Sequence, residues 1–309
     1  MWAGVELGGT HCRLILGAGP DDIRAEEELA TREPSATLPA LAAVLDRWRE
    51  RFGPPAGLGL ACFGPLDLRP ASPSYGRIGA TPKPGWRHVE VLRFFAMGSR
   101  GPVAITTDVI GAALAEGRWG AARGLADFAY VTVGTGVGVG LIAAGRVLVG
   151  CHHPELGHIR IARLPGDRWA GSCPFHGDCV EGLASGPAIE SRTGLRAADI
   201  PPDHAVWVAV AHALAQLAQT LVLSVAPRKI IMGGGVLSAQ PQLFPMIRRA
   251  LAATLAGYLE VEEVTSGLER FIGPAVLGTR TGPLGALVLA EEACGARGGA
   301  PNPSRPAGP

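Results

Sequence analysis

The chain lacks an excess of charge of either sign. Its 28 Lys and Arg residues nearly balance 27 Asp and Glu residues, which leaves a formal net charge of +1. Proteins that bind nucleic acid along an extended surface need a basic patch or stripe to meet the phosphates. No Lys/Arg cluster stands out in this sequence. We therefore expect no nucleic-acid partner, and any binding of phosphate groups must be local.

Long uninterrupted apolar runs are also missing. None reaches about 18 residues, the length that indicates a membrane-spanning helix. The chain starts with a strand-like segment, M-W-A-G-V-E-L, and not with the basic and apolar regions of a secretory signal peptide. These features predict a cytoplasmic protein without a membrane partner. With 309 residues and 47% hydrophobic content, the chain is long enough for two domains with buried cores.

Cysteines are too few and too unevenly placed for a disulfide framework. Three of the six lie between residues 151 and 179, which is more typical of metal ligands and buried thiols. There, E-L-G-H-I is followed after a short loop by C-P-F-H-G-D-C-V-E. Thiolate and imidazole suit Zn²⁺, and four protein ligands leave no open position, so we predict a closed, structural zinc site. Its ligands are His158, Cys173, His176 and Cys179.

The predicted zinc site has a carboxylate at each end, Glu155 and Glu181. We expect the metal to fix the loop that carries them, so that function depends on what these carboxylates bind. Three further residues, Cys151, His152 and His153, crowd the same segment and are alternative ligands.

Strand-like and helix-like patterns alternate along the chain, which favours an α/β architecture. Strands are predicted at residues 5–7, 12–16, 58–62, 103–106, 128–133, 138–143 and 229–232. Helices are predicted at residues 39–52, 109–119, 184–193, 204–225, 240–254 and 283–292. The last segment, residues 295–309, is rich in Gly and Pro, and we expect it to be disordered.

Two glycine-rich turns open the two halves of the chain in the same way. E-L-G-G-T is followed by H-C-R-L-I-L, and Y-V-T-V-G-T-G is followed by V-G-V-G-L-I. Each turn joins two predicted strands and has no bulky side chain where backbone N–H groups would approach a ligand. Either turn by itself is also compatible with an ordinary tight hairpin. Together, with a Thr beside each set of glycines, they indicate binding of the phosphates of one nucleotide.

Two further features follow predicted strands. The glycines at residues 233–235 come after K-I-I-M, where a base or ribose can pack against the backbone, although a plain strand-to-helix turn fits equally well. Asp108 follows G-P-V-A-I-T-T and precedes V-I-G-A-A-L-A-E-G. That position suits a general base in the cleft above a parallel sheet, and it also suits a helix N-cap.

These segments resemble the sugar kinases of the ROK family, most closely its zinc-containing fructokinase branch. The similar motifs are E-L-G-G-T, F-G-P-L-D, Y-G-R-I-G-A-T-P-K-P-G-W, T-D-V, V-G-T-G, H-P-E-L-G-H-I, C-P-F-H-G-D-C-V-E-G-L-A-S-G-P-A-I-E and M-G-G-G-V. The resemblance implies an actin-like (hexokinase/ribonuclease H-like) fold whose two lobes close over Mg-ATP and a hexose, usually in a homodimer. It implies a small lobe at residues 1–108, on which a C-terminal helix at about 283–294 packs back. The larger lobe would span residues 109–282 and contain the zinc loop, 151–181.

The resemblance also assigns roles to individual residues. Asp108 would be the base for the sugar hydroxyl, and Glu6 would hold Mg²⁺ through water. His158 would bind zinc first and contact the sugar only secondarily. The nucleotide would lie against Gly8, Gly9, Thr10, Gly134, Thr135, Gly136, Gly233, Gly234 and Gly235. The sugar would be bound by Gly64, Asp67, Lys83, Glu155 and Glu181.

Three positions qualify this assignment. Asp67 is equally well explained as a solvated turn residue. His11 stands where Lys is common in the family, and Ile110 stands where Asn is common. We predict an ATP-dependent hexose kinase that converts fructose to fructose 6-phosphate. The alternatives are a kinase of the same family for mannose, glucose or N-acetylmannosamine, and a non-catalytic sugar-binding regulator.

Overall fold

The computed structural model describes residues 1–297, and the chain divides into two compact units. Unit 1 contains Met1–Gly124, Gly145–His153 and the segment from Val276 onward, whereas unit 2 contains Leu125–Ala144 and Pro154–Ala275. Each unit carries its own sheet and helices, which confirms the predicted α/β architecture.

Unit 1 is built on a five-stranded sheet. Its strands are β1 (Trp2–Leu7), β2 (His11–Gly19), β3 (Asp22–Ala30), β4 (Leu58–Cys62) and β5 (Val103–Thr107). They lie in the order β3-β2-β1-β4-β5. Its helices are α1 (Pro34–Phe52), α2 (Val91–Gly98), α3 (Asp108–Arg118) and α11 (Thr281–Arg297). A two-residue strand, β8 (Arg146–Val147), belongs to the inserted segment.

Three parallel strands of this sheet end at the same level. β1 forms an antiparallel hairpin with β2 and pairs in parallel with β4, which in turn pairs in parallel with β5. In that register Leu7 lies opposite Cys62, and Cys62 lies opposite Thr107. The residues that follow these strands therefore emerge at one edge of the sheet, where ligands of open α/β sheets bind.

Helix α11 returns to the N-terminal strands of unit 1. It packs on α3, β1 and β4. Two strand glycines allow the close approach: a Cβ atom at Gly59 would lie 1.8 Å from the carbonyl oxygen of Ala286, and one at Gly4 would lie 2.8 Å from that of Pro283. The predicted domain boundary at residue 108 falls inside unit 1, because α3 is packed on α11.

Unit 2 repeats the arrangement of a hairpin with a parallel neighbour. Its strands are β6 (Phe128–Val133), β7 (Val137–Ala143), β9 (Ile230–Gly233) and β10 (Ile272–Pro274). β6 and β7 form an antiparallel hairpin, β9 is parallel to β6, and β10 is parallel to β9. Its helices are α4 (Val180–Ala184), α5 (Gly186–Thr193), α6 (Val206–Val225), α7 (Gly235–Ala239), α8 (Leu243–Leu255), α9 (Glu262–Thr265) and α10 (Leu268–Phe271).

Helix α6 is the central helix of the unit 2 core. By length and composition alone it could cross a membrane. Eleven of its residues, including Trp207 and Leu214, are buried among apolar side chains of the same unit. This burial explains the apolar composition of α6 as that of a core helix, and agrees with the burial predicted for residues 204–225.

Several elements differ from the sequence-based assignment. Strand β3 was not predicted, because its charged residues alternate with only partly buried ones at the sheet edge. Helix α2 was also not predicted. The single helix expected at 184–193 is two helices, divided at Ser185, whose Oγ accepts a hydrogen bond from the Ala188 N–H at 3.3 Å. Helix α11 continues to Arg297, and the rest of the predicted disordered tail lies outside the described residues.

Candidate active site and metal centre

The first glycine turn joins β1 to β2 in unit 1, as predicted. The Gly8 N–H donates to the His11 carbonyl at 3.1 Å, and a Cβ atom at Gly8 would lie 2.6 Å from that oxygen. The turn itself therefore requires glycine at this position. Thr31, immediately after β3, braces the turn: its hydroxyl donates to the Gly8 carbonyl and its N–H donates to the Thr10 carbonyl, both at 2.8 Å.

Glu6 lies at the carboxyl end of β1 and is largely buried. Its Oε2 is the one buried side-chain N or O atom found without a hydrogen-bond partner in residues 1–297. The nearest cation is Arg13, whose Nη1 lies 3.7 Å from Oε2. Burial raises the pKa of Glu6 to about 7, the charge of Asp108 adds to the rise, and Arg13 opposes it. A buried carboxylate oxygen without a hydrogen-bond donor, next to a second carboxylate, is a suitable donor set for a hard cation such as Mg²⁺.

Asp108 lies at the same edge of the sheet, as the first residue of α3. The N-cap is the preceding residue, Thr107, whose hydroxyl accepts a hydrogen bond from the Ile110 N–H at 3.2 Å. The N-cap explanation of Asp108 is therefore wrong. Its carboxylate accepts a hydrogen bond from the Val109 N–H at 2.8 Å. Burial nevertheless raises the pKa of Asp108 to about 6, so it is mainly ionised at neutral pH.

Ile110, the departure noted beside Asp108, has a packing role. Its side chain is 2% exposed and lies in the apolar core of unit 1. An asparagine amide in these surroundings would need hydrogen-bond partners that apolar neighbours do not supply. Ile110 is therefore a core residue.

The predicted sugar-binding residues of unit 1 occupy two loops. Gly64 precedes Pro65 in a cis peptide bond, directly after β4. Asp67, on the same loop, is the centre of a turn: its two carboxylate oxygens accept hydrogen bonds from Arg69, Ser72 and Ser74. The Arg69 guanidinium, with the two serine hydroxyls, holds the pKa of Asp67 well below its usual range. This network supports the turn-residue interpretation.

Lys83 comes from a loop after the sequence A-T-P, yet it reaches the first glycine turn. Its Nζ donates a hydrogen bond to the Gly9 carbonyl oxygen and lies 6.0 Å from the centre of the Phe63 ring. The structure thus places the Lys83 ammonium beside a predicted phosphate-binding turn.

The second glycine turn joins β6 to β7 in unit 2. The Gly134 N–H donates to the Gly136 carbonyl at 2.9 Å, which closes the turn around Thr135. A Cβ atom at Gly136 would lie 2.6 Å from Oε2 of Glu181, and the same oxygen accepts a hydrogen bond from the Val137 N–H at 3.1 Å. Gly136 is therefore needed to make room for the Glu181 carboxylate.

The third glycine cluster lies beside the second turn. A Cβ atom at Gly134 would lie 3.9 Å from the Gly235 nitrogen. Gly234 has a positive φ of 96° and packs against the backbone of Val133, and Gly233 packs against the Tyr130 hydroxyl. Gly235 starts α7 and has no atom near its Cβ position. The strand-to-helix turn is thus present, and its packing explains two of the three glycines.

The four predicted zinc ligands converge in unit 2. Their ligand atoms all lie within 4.8 Å of one another. The Nδ1 atoms of His158 and His176 are 3.3 Å apart, and the Cys173 Sγ lies 3.7 Å from each of them. The Cys179 Sγ lies 3.6 Å from the His158 Nδ1. A tetrahedral Zn²⁺ with ordinary bond lengths separates its ligand atoms by about 3.3–3.8 Å. The group thus has the spacing of a tetrahedral zinc site.

The local sequence folds into a tight knuckle that presents these ligands. Cys173 and Gly177 exchange two backbone hydrogen bonds, of 3.1 and 2.9 Å, across the residues P-F-H. The Gly182 N–H points at the Cys179 Sγ, 3.5 Å away, and a Cβ atom at Gly182 would lie 1.9 Å from the Gly177 carbonyl oxygen. Small residues therefore allow the two cysteines to approach the same point.

Glu181 links this centre to the second glycine turn. One of its oxygens, Oε1, lies 3.9 Å from the His158 Nε2, and the other is the acceptor for Val137. Glu155 precedes His158 by three residues, and its carbonyl accepts a hydrogen bond from the His158 N–H at 3.0 Å. The metal centre therefore holds the backbone that carries both carboxylates.

Comparison with known proteins decides the family. The model of the ROK family matches residues 2–293. The chain belongs to the ROK family. It is 41% identical over 289 residues to a fructokinase of Pediococcus pentosaceus, with 94% of this chain and 97% of the relative covered. It is 38% identical over 293 residues to a fructokinase of Zymomonas mobilis, with 93% and 95% covered.

A solved ROK structure has the same fold. The ROK hexokinase from Thermus thermophilus is 27% identical, and it superposes with a TM-score of 0.75 over 94% of this chain and 97% of that chain. The predicted actin-like class, with its two α/β sheets, is thus confirmed for this ROK protein.

The alternative zinc ligands of this ROK protein have other positions. The His153 ring is buried, and its Nε2 accepts a hydrogen bond from the Leu66 N–H at 3.0 Å. The His152 Nδ1 contacts the carbonyl of His153, and Cys151 is exposed. None of the three belongs to the four-residue group found within residues 1–297.

Sequence reasoning missed three residues of the site. Arg13 lies opposite Glu6 in the β1–β2 register, so counting across the short turn would have identified it. Gly282 would place a Cβ atom 2.1 Å from the Glu6 Oε1, and Thr31 follows a strand that was not predicted. The last two are contacts between distant parts of the chain and leave no local sequence pattern.

Proposed function

We propose that this protein is an ATP-dependent hexose kinase that phosphorylates D-fructose to D-fructose 6-phosphate. The observation that carries the proposal is its similarity along nearly the whole chain to fructokinases, at 41% and 38% identity. The donors for two phosphate turns, a carboxylate with a pKa of about 6 and a four-ligand metal centre are the parts that such a kinase needs.

Asp108 is proposed as the general base. A base must be ionised at the working pH and must still bind a proton well enough to remove it from a sugar hydroxyl. With a pKa of about 6, Asp108 meets both conditions near neutrality. Its hydrogen bond from the Val109 N–H fixes the carboxylate at the start of α3.

The two glycine turns are proposed to bind the nucleotide phosphates through backbone N–H groups, with residues 233–235 beside the rest of the nucleotide. Glu6 would hold Mg²⁺ through water, and that ion, when bound, offsets the negative charge of the phosphates. The orphaned Oε2 of Glu6 supports this role.

The zinc centre is proposed to be structural, and Glu155 and Glu181 are proposed as sugar ligands on the loop that it holds. Gly64 is proposed to line the sugar site through its backbone. We assign Asp67 to its turn, because its carboxylate already accepts hydrogen bonds from three residues. We further propose that the protein acts in the cytoplasm as a homodimer.

The test is a coupled ADP-release assay with Mg-ATP on protein of known zinc content. Fructose, mannose, glucose and N-acetylmannosamine are compared in parallel, and the products are identified by mass spectrometry. We expect the highest kcat/KM with fructose. A preference for another hexose would retain the kinase and change its substrate.

The alternative of a non-catalytic regulator predicts a different result. Zinc-loaded protein would then bind a hexose, measured by titration calorimetry, without forming ADP or sugar phosphate. That outcome would refute the kinase proposal.

A further inference from the structure

Three consecutive carbonyl groups of the first glycine turn are held by other parts of unit 1. The Gly8 carbonyl accepts from the Thr31 hydroxyl and the Thr10 carbonyl from the Thr31 N–H, both at 2.8 Å. Between them, the Gly9 carbonyl accepts from the Lys83 Nζ. A four-residue turn is thus fixed by two residues that are distant in sequence.

Peptide geometry gives these hydrogen bonds a directional consequence. In a planar trans peptide, the C=O of one residue and the N–H of the next point in opposite directions. Holding the Gly9 carbonyl toward Lys83 therefore directs the Thr10 N–H away from Lys83, and holding the Gly8 carbonyl toward Thr31 directs the Gly9 N–H away from Thr31. Successive N–H groups with fixed directions form the kind of concavity that binds phosphate.

The loop that carries Lys83 is anchored by apolar packing. Trp86 is fully buried, its Nε1 donates to the Arg32 carbonyl at 2.8 Å, and its ring packs edge-on to Phe63 at a centroid distance of 5.1 Å. The Lys83 ammonium is half-buried between that Phe63 ring and the Gly9 carbonyl. Both partners are without formal negative charge, so the ammonium keeps its full charge beside the turn.

We propose that Lys83 is a positioning residue of the nucleotide site: it fixes the Gly9–Thr10 peptide for phosphate binding and adds positive charge beside it. The inference rests on the proposed kinase function, and it moves Lys83 from the sugar site, where the sequence resemblance placed it, to the phosphate turn.

The test compares nucleotide and sugar binding in full-length, zinc-loaded protein. Titration calorimetry measures the Kd of the Mg²⁺ complex of a non-hydrolysable ATP analogue, and separately the Kd of fructose. For Lys83→Met we expect nucleotide binding to weaken by at least about 10-fold, the worth of a charge-assisted hydrogen bond. The Kd of fructose should stay within about twofold of the wild-type value, since no sugar contact is lost.

Matched variants separate positioning from general damage. Lys83→Arg keeps a donor and the charge, so it should recover part of the nucleotide affinity. Thr31→Val removes the hydroxyl that holds the neighbouring Gly8 carbonyl and should weaken nucleotide binding in the same selective way. Arg87→Met removes an exposed cation from the same loop and should change neither affinity. In steady-state assays, Lys83→Met should raise KM for ATP while KM for fructose is retained.

Two results would overturn the inference. One is a Lys83→Met protein with weakened fructose binding and unchanged nucleotide binding, which would return Lys83 to the sugar site. The other is unchanged nucleotide binding in both Lys83→Met and Thr31→Val. Wild-type protein that binds the nucleotide but phosphorylates no hexose would refute the kinase function alone, because the nucleotide comparison would still be valid.

Discussion

At the scale of single residues, neighbours decide which of two chemically similar carboxylates can act as a base. Asp67 is surrounded by donors, which lower its pKa, whereas burial raises the pKa of Asp108 to about 6. A stabilised carboxylate is a weak base, and a destabilised one binds a proton more readily. The environment thus favours Asp108 for catalysis and Asp67 for structure.

Replacing Asp108 tests the base directly. Asp108→Asn keeps the shape of the side chain and an oxygen for the Val109 N–H, but it cannot accept a proton. We expect kcat to fall by about 10² to 10⁴, the usual contribution of a positioned base. The circular dichroism spectrum should match that of the wild type. Turnover equal to that of the wild type would remove Asp108 from the role.

The same substitution should change the pH dependence of stability. The folded pKa of about 6 exceeds the ordinary value of 3.8, so the folded state retains a proton that the unfolded state releases. The free energy of unfolding therefore falls as pH rises from about 4 to about 6, and this dependence disappears in Asp108→Asn. At pH 7.5 the variant should be more stable by on the order of 2 kcal/mol, allowing for partial solvent access.

Urea denaturation at pH 3.5 and pH 7.5 measures both limits. At the lower pH, both proteins carry a neutral side chain at position 108 and should have nearly equal stability. An equal stability difference at the two pH values would show that the effect does not come from ionisation.

At the scale of elements, the zinc knuckle replaces regular secondary structure as the support of a loop. Between β8 and α4 the described chain forms one short 3₁₀ turn, at Leu156–His158, and isolated β-bridges. Such a segment has few backbone hydrogen bonds to fix it. Four ligands converging on one ion supply that constraint, because metal binding and local folding are coupled.

Removing one ligand should release the metal. Cys173→Ser should reduce zinc from about one ion per chain to a substoichiometric amount in elemental analysis, and should lower the free energy of unfolding by more than about 2 kcal/mol. Cys151→Ser is the matched control, since Cys151 is exposed and outside the ligand group. Wild-type protein purified without chelator and found free of zinc would contradict the assignment.

The start of α11 is shaped to accept the carboxylate of Glu6. Gly282, the second residue of that helix, would place a Cβ atom 2.1 Å from Oε1 and 2.2 Å from Cδ of Glu6. The absence of a side chain on the helix thus makes room for the longer of the two acidic side chains.

A double-mutant cycle tests this complementarity. Gly282→Ala should displace the Glu6 carboxylate and lower kcat by about 10- to 100-fold, as small misplacements do. Combining it with Glu6→Asp, which shortens the side chain by a methylene, should cost less than the product of the two single effects. The coupling should also be seen in free energies of unfolding. Purely additive effects in both measurements would refute the proposed fit.

At the scale of the whole molecule, unit 1 depends on segments from both ends of the chain. The strands β1 and β4 come from its first 62 residues, and α11, which packs on them, starts at Thr281. Glycines at the contact let backbone meet backbone. A closely packed contact of this kind tolerates no added methyl group.

Gly59→Ala should therefore destabilise the protein. Its Cβ atom would lie 1.8 Å from the Ala286 carbonyl oxygen, and we expect a loss of about 2–4 kcal/mol in the free energy of unfolding. Gly98→Ala is the control, because no atom lies within 4 Å of its Cβ position. That change, at the end of α2, should be within about 0.5 kcal/mol of neutral. Equal effects of the two substitutions in urea denaturation would contradict the packing argument.

The sequence by itself determined the features that depend on local pattern. Alternating strand and helix patterns gave the α/β class, glycines between strands gave the two turns, and the spacing of Cys and His gave the four metal ligands. Each of these depends on residues close together in the chain, where backbone geometry and side-chain chemistry act directly.

Only the tertiary structure decided the features that depend on distant contacts. It placed the Lys83 ammonium on the Gly9 carbonyl, put Ile110 in the core, gave the N-cap of α3 to Thr107, and left Glu6 with an oxygen that accepts no hydrogen bond. Burial and the approach of remote groups set these roles. They follow from packing in three dimensions, which the local sequence pattern does not contain.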